Sequence, residues 1–440
     1  MARVGGQPFE LGLKPQQFAD ADFAGFRAQL NFSPNVRLIA LYQQIEENFS
    51  GPRSRVATGT VASSANSTGW NRGDDWGAIA KLDVEPFKGL RVSPFVAYQE
   101  LDGTTAGSIR TPAGGYNVGS GAAMAPDITG NAVNAAGVQT GTIQTSCVVA
   151  QGKCRSTMEH RYWAGLDARF DSGPFYIWPT ALFLWGDRAR LAAAGEPGRG
   201  GVIHATERAW MFDLQSGFRV GPLNLELRGV YASGDKASAN LNKDMKYMQL
   251  YQTGGGYFNG FGEVSGSANV AYLSGWNGTT SANPYSISAH PTYDRYGLAR
   301  LAGKATYSVT PAFDVFASAS PIWTAEKVNT NEIVTGNGLM LPAGFDGNFK
   351  PAPGTVLRPC DRTCSDGNSR YLGTDVDLGL TYRFAPGLTF DLVGGWLFAG
   401  DALNNVADIC GHAGSAPCGQ FAQYKSKDSW TLSTRIRYAF

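Results

Sequence analysis

The residues of this sequence that could do chemistry are mostly charges set two apart. Arg435 and Arg437 alternate with Thr434, Ile436 and Tyr438, while Asp375 and Asp377 alternate with Val376 and Leu378. That spacing puts the charges on one face of a strand and their apolar neighbours on the other. Charges collected on one face can bind and pass a charged solute, or can pair with one another. Catalysis needs more. A hydrolase would want a histidine within hydrogen-bond reach of a Ser or Asp, yet His160, His204, His290 and His412 fall in loops or at strand rims. Neither Gly-x-Ser-x-Gly nor His-Glu-x-x-His occurs, so the expectation is no enzyme, no catalytic residues, no metal and no cofactor.

Strands must carry these charges. In 430–440 the even positions are Trp, Leu, Thr, Ile, Tyr and Phe, and the odd ones Thr, Ser, Arg, Arg and Ala. The same period of two recurs at 76–85, 210–220, 223–231 and 375–384. Strand pairs meet at short Pro- or Gly-bearing turns, 33–35, 87–89, 172–174, 220–222, 310–312 and 385–387, which is hairpin chemistry. Long polar loops lie between the pairs, at about 47–74, 102–158, 188–205, 235–291, 328–370 and 402–427. All turns therefore sit at one end and all loops at the other. The expected strands are 2–13, 21–33, 35–46, 75–86, 89–101, 159–171, 174–187, 206–220, 222–234, 292–310, 312–327, 371–385, 388–400 and 428–440. Their number is fourteen, an even count suited to a closed all-β transmembrane antiparallel up-and-down barrel, with short periplasmic turns, long extracellular loops and a single domain over 1–440.

Composition agrees. Charged residues are 17%, Gly counts 56 of 440 and aromatics reach 12%, far from a disordered chain or coiled coil. Lys+Arg 37 against Asp+Glu 36 gives a net charge of +1, which offers no global field for nucleic acid. A soluble β-sandwich is the competing fold, but it would put its apolar face against a second sheet. Here aromatics gather at both strand ends. Phe32, Phe87, Phe170, Phe175, Phe218, Phe313, Phe384 and Phe440 stand near the turns, and Trp76, Tyr98, Trp185, Trp210, Tyr231, Trp323, Trp396 and Trp430 near the loops, like two membrane-interface belts. The cysteines form close pairs, Cys147 with Cys154, Cys360 with Cys364 and Cys410 with Cys418, read as loop disulfides of an oxidising compartment in preference to zinc ligands.

On the polar face stand Arg27, Arg37, Lys81, Arg91, Arg161, Arg169, Arg219, Arg228, Arg300, Lys304, Arg383, Arg435 and Arg437. Against these thirteen are eleven acids, Asp83, Glu85, Asp167, Asp171, Asp213, Glu226, Asp314, Glu326, Asp375, Asp377 and Asp391. Most are expected to pair across strands. The sharper expectation is a pore lining of unpaired arginines that holds an anionic solute weakly at successive sites, with Arg435 and Arg437 leading because their own strand has no acid on that face. Trp-Gly-Asp at 185–187, Ser-Gly-Asp at 233–235 and Ala-Gly-Asp at 399–401 recur where strand meets loop. They read as turns whose Asp bonds backbone, ahead of calcium ligands.

The terminal RIRYAF resembles the C-terminal signal read by the outer-membrane assembly machinery. RVGGQPFELG followed by FADADFAGFRAQLNFSPNVRLIALY is similar to a strand pair of the alginate-export porin family, whose loop-opening Gly-Asp has a counterpart in Ser233-Gly234-Asp235. The resemblance implies a Gram-negative outer-membrane porin and a monomer in preference to a trimer. The sequence departs from that family in having a mixed lumen where the family's is strongly basic. Its start also falls partway into the family's barrel. The opening MARVGGQPFELGLK lacks the regions of a secretory signal; the expectation is a signal removed ahead of the numbering or a longer parent chain, with 16–18 strands in the latter case.

The function expected is a channel in the bacterial cell outer membrane. It would give passive, anion- or saccharide-preferring passage to small hydrophilic solutes, with lipid and lipopolysaccharide as its surroundings. A barrel that sheathes a partner protein is the alternative. Lys243, Lys246, Tyr247, Tyr251, Tyr257, Phe258, Phe261, Tyr272 and Trp276 make the 235–291 loop richer in aromatic and basic residues than a solvated loop needs. That loop is therefore expected to fold over or into the lumen and narrow it.

Overall fold

The structure, a computed structural model, describes residues 2–11, 18–46, 75–102, 131–133, 139–142, 158–191, 202–237, 244–248, 250–253, 261–262, 296–330, 333–334, 340–341, 367–408 and 421–438. Fourteen long strands follow one another along a single antiparallel sheet in chain order. They are β1 Ala2–Leu11, β2 Ala19–Ser33, β3 Val36–Glu46, β4 Asp75–Phe87, β5 Leu90–Asp102, β6 Met158–Ser172 and β7 Phe175–Leu191, then β8 Val202–Val220, β9 Leu223–Ala232, β10 Leu298–Thr310, β11 Phe313–Val328, β12 Ser369–Ala385, β13 Leu388–Ala399 and β14 Ser429–Tyr438. This is the expected up-and-down architecture, with each expected turn in place. Strand β10 starts at Leu298 and not near 292, because Gly297 just before it takes φ +68 and breaks the extended run. Among the described residues β1 pairs only with β2 along the strand path and β14 only with β13.

The sheet curls. Two short strands, Asp244–Met245 and Gln252–Thr253, leave the path and pair in parallel with β8 and β2. Seven residues from 245 to 252 reach at most about 25 Å. Six strand spacings on a flat sheet would need about 29 Å. Phe18, just ahead of β2, also lies 5.0 Å from Phe95 of β5 and 5.9 Å from Trp163 of β6, ring centre to ring centre. The sheet is thus a barrel wall with the 244–253 segment across its inside.

Its two faces are inverted relative to a soluble protein. On β12 the inward Asp377 is 1% exposed and its neighbour Leu378 65%; the same alternation runs along β5, β8 and β9. Near the loop ends the outward rings of Tyr42, Trp76, Tyr98, Tyr162 and Trp185 touch in series across β3 to β7. Trp210 and Tyr231 stack on β8 and β9. The turn end carries Phe175 against Phe218 and Phe313 against Tyr382. An apolar outer band between two aromatic girdles is the surface of an outer-membrane-type barrel.

The long loops hold structure that the alternation does not foretell. Asn131–Val133 pairs with Gln139–Thr142, and Ile333–Val334, Met340–Leu341, Asn405–Asp408 and Phe421–Tyr424 form a separate small sheet. The disulfide expectation falls on Cys147, Cys154, Cys360, Cys364, Cys410 and Cys418, and all six lie outside the described residues. The structure therefore does not bear out the pairing of Cys147 with Cys154, Cys360 with Cys364 or Cys410 with Cys418, which stands as a proposal for thiol chemistry to test.

Candidate functional site in the barrel interior

Toward the turns the interior is a lattice of ion pairs. Arg37 of β3 stands opposite Asp83 of β4 in the register and reaches it at 2.5 Å, while Lys81 holds the other oxygen of Asp83 at 3.1 Å. Arg91 and Arg169 face each other across β5 and β6, and each avoids the other by taking an acid beside it, Glu85 at 2.7 Å and Asp171 at 2.7 Å. Arg228 pairs with Asp213 at 2.7 Å and Arg383 with Asp314 at 2.8 Å. Arg435 and Arg437 share Asp391, at 3.2 and 2.9 Å. The expectation that these two lack a partner is corrected: it weighed only their own strand, whereas the register sets Arg435 directly across from Asp391 of β13.

The remaining expected basic residues have other settings. Arg219 lies over the Tyr176 ring at 4.8 Å. Lys304 lies 4.6 Å from the Phe316 ring and 5.7 Å from that of Phe261. Arg300 donates through Nε to Ser320 Oγ at 2.5 Å and through Nη2 to the Phe261 carbonyl at 2.8 Å. Nearer the loops Arg161 meets Glu207 at 3.2 Å, both buried. Arg27 is half-buried opposite Arg3. Cross-strand pairing therefore accounts for most of the charged lining, as the plainer of the two expectations has it.

Arg91 with Glu85 and Arg169 with Asp171 are exposed about equally, but four other arginines are much more exposed than their acids. Arg37 keeps 41% of its side chain exposed against 5% for Asp83, and Arg383 51% against 17% for Asp314. Arg435 and Arg437 are likewise far more exposed than Asp391. At these four arginines the guanidinium is the exposed group and the carboxylate the covered one.

Toward the loops the inward face changes character. Ile39, Leu41, Ile79, Phe95, Trp163, Leu182, Leu184, Met211, Val230 and Ile322 are all buried there in one apolar cluster, together with Phe18, Met248, Tyr251 and Tyr296 from outside the strands. Sequence runs such as Leu38-Ile39-Ala40-Leu41 and Ala181-Leu182-Phe183-Leu184-Trp185 signal this, because a strand apolar on both faces is covered on both. The cover is the 244–253 segment of the long loop after β9. This bears out the inward fold expected of that loop for Tyr247, Tyr251 and Phe261, which are buried; Lys246 stays exposed. Lys243, Tyr257, Phe258, Tyr272 and Trp276 lie outside the described residues.

A clasp holds the segment. Ser233 Oγ accepts from the Trp210 N–H at 2.9 Å and donates to the Lys246 carbonyl at 2.6 Å, and Asp235 Oδ2 accepts from the Lys246 N–H at 2.7 Å. The Asp of the Ser-Gly-Asp motif thus bonds backbone, as the turn reading has it, although Gly234 does not take the positive φ that such a turn would have. Further on, the Tyr251 carbonyl accepts from Gln99 Nε2 at 3.2 Å and the Tyr251 ring packs on Trp163 at 5.6 Å. A Cβ at Gly77 would overlap the Tyr251 hydroxyl, so the glycine makes the notch into which the phenol descends. Burial pushes that phenol above its ordinary value and keeps it protonated.

No family model matches the chain, that of the alginate-export porins included, and no curated protein matches it. Among solved structures the chain is similar to OccK5 (OpdH) of Pseudomonas aeruginosa, at 9% identity and a TM-score of 0.40, covering 100% of this chain and 78% of that one. It is also similar to the outer membrane protein OprD of Pseudomonas aeruginosa, at 9% and 0.38, covering 99% and 74%. A third similar structure is OccAB4 of Acinetobacter baumannii, at 8% and 0.40, covering 99% and 71%.

Proposed function

We propose that this barrel sits in a bacterial outer membrane and gives small hydrophilic solutes, anions by preference, a passive path closed on the loop side by its own 244–253 segment. The observation that carries the reading is the inversion of faces: buried ion pairs line the inside of a wall whose outside is apolar and banded by aromatic rings. Charged groups fixed on the inner wall of a barrel in lipid serve solutes that cross it. The preference for anions is supported by the guanidinium groups that stand out from their carboxylates in the turn half. A barrel that sheathes a partner protein would need the interior volume that Met248, Tyr251 and Phe261 occupy, so the chain's own segment favours the channel.

The test is planar-bilayer recording of the purified protein in a salt gradient, beside a variant lacking residues 240–275. The deletion is expected to raise single-channel conductance and to keep a reversal potential of anion-selective sign. Equal conductance from a folded deletion variant, or cation selectivity in both, would overturn the reading.

A further inference from the structure

The geometry points to a binding socket for a neutral sugar ring in the loop-side wall, occupied in this structure by Tyr251; the inference rests on the reading that the lumen admits solutes. Three neighbouring strands build the socket. β6 gives Trp163, β5 gives Phe95 and Gln99, and β4 gives Gly77, which stands opposite Gln99 in the register. Phe95 lies flat across Gly165 of β6, where a Cβ would overlap its ring. Its other face is thereby turned inward and carries Phe18 at 5.0 Å.

Tyr251 fills this place as a ligand would. Its six-membered ring meets Trp163 at 64° between planes, and its hydroxyl enters the notch at Gly77. The wall around it is not purely apolar. Gln99 is 0% exposed, gives its Nε2 to the Tyr251 carbonyl and interacts with the Tyr251 phenol, while its Oε1 has no hydrogen-bond donor among the described residues. A buried acceptor left without a donor costs about 1–3 kcal/mol, and native interiors rarely leave one so. A hydroxyl donor at the edge of the aromatic face would satisfy that oxygen. A pyranose supplies both requirements, with an apolar ring face to lie on Trp163, where the Tyr251 ring now packs, and a rim of hydroxyls, one of which would reach Gln99 Oε1. Two wall glycines, at 77 and 165, shape the space for a ring. The usual occupant comes from a loop and so can leave, as the cover of a cryptic pocket does.

The occupied socket should bind external sugar weakly, because a solute must first displace Tyr251 and its apparent affinity falls by the fraction of time the socket is open. The experiment is calorimetric titration of maltotriose into the full-length protein in nanodiscs, with Tyr251→Ala and with Gln99→Leu or Trp163→Leu added to it. Retention of the heat-modifiable band verifies that each variant is folded. Tyr251→Ala is expected to bind at least tenfold more tightly than the parent, Gln99→Leu to weaken that binding about three- to tenfold and Trp163→Leu at least tenfold. No binding to the folded Tyr251→Ala protein, or binding indifferent to both second substitutions, would overturn the socket. The titration reads no current, so a barrel that binds maltotriose without conducting would refute the channel and keep the socket. One that conducts without binding would do the reverse.

Discussion

Removing the carboxylate of Asp235 tests whether the inner segment is a gate. Asp235 is buried, and its Oδ2 accepts the Lys246 N–H at 2.7 Å at the point where the chain turns into the barrel. A hydrogen bond to a charged group contributes about 1.5–3 kcal/mol. No discount for solvent screening applies to so buried an acceptor. At about 1.4 kcal/mol per factor of ten, Asp235→Ala should raise the ratio of open to closed channel about 10- to 150-fold. Its barrel should be untouched, because the bond joins a loop residue to a loop residue. Asp235→Asn keeps a neutral acceptor and should fall between the parent and Asp235→Ala. The assay is open probability in planar bilayers at fixed voltage. A folded Asp235→Ala protein whose open-to-closed ratio stays within about twofold of the parent would show that the clasp holds no gate.

Gly77→Ala places a methyl group where the Tyr251 hydroxyl lies, so it should raise mean conductance without changing selectivity, read from the same recordings. Arg228→Met leaves Asp213 buried without its guanidinium partner and should cost about 3–5 kcal/mol in urea unfolding, whereas Arg228→Met with Asp213→Leu should come within about 1–2 kcal/mol of the parent. Disulfides between Cys147 and Cys154, Cys360 and Cys364, and Cys410 and Cys418 would close short loops, which adds little to global stability. Thiol titration of the unreduced protein should find no free thiol, and reduction should leave the unfolding midpoint unchanged.

The strands and turns were legible because both are local signals. A period of two, a Pro or Gly at a turn and an aromatic at each strand end need no knowledge of the rest of the chain, and strand limits such as 75–87 and 388–399 follow within a residue or two. The aromatic content of the 235–291 loop likewise exposed its inward fold. Contacts that depend on register were not legible in the same way. Asp391 was visible as an acid, but its place between Arg435 and Arg437 is set by how β13 and β14 align. Gly77 and Gly165 look like weak points in strands until the partner opposite is known to be Gln99 or Phe95. Ser233 and Asp235 drew notice as a motif, but nothing near them in sequence says that their partner is the backbone of Lys246.

The interior divides along the barrel axis, and the division explains why closure falls at the loop end. In the turn half most strands carry inward charges that pair with one another. In the loop half the wall offers Ile39, Leu41, Leu182, Leu184 and Met211, side chains that water solvates poorly. An empty lumen there would leave an apolar constriction prone to dewetting. Met248 and Tyr251 cover that wall and gain their burial from it, while Ser233 and Asp235 fix where the segment enters. The segment is therefore held mainly by apolar contact, and its polar bonds serve to aim it. On the proposed channel reading, a solute that opens the path would have to offer an apolar face to the loop half and tolerate the exposed guanidinium groups of the turn half, a pairing of demands that neither half imposes alone.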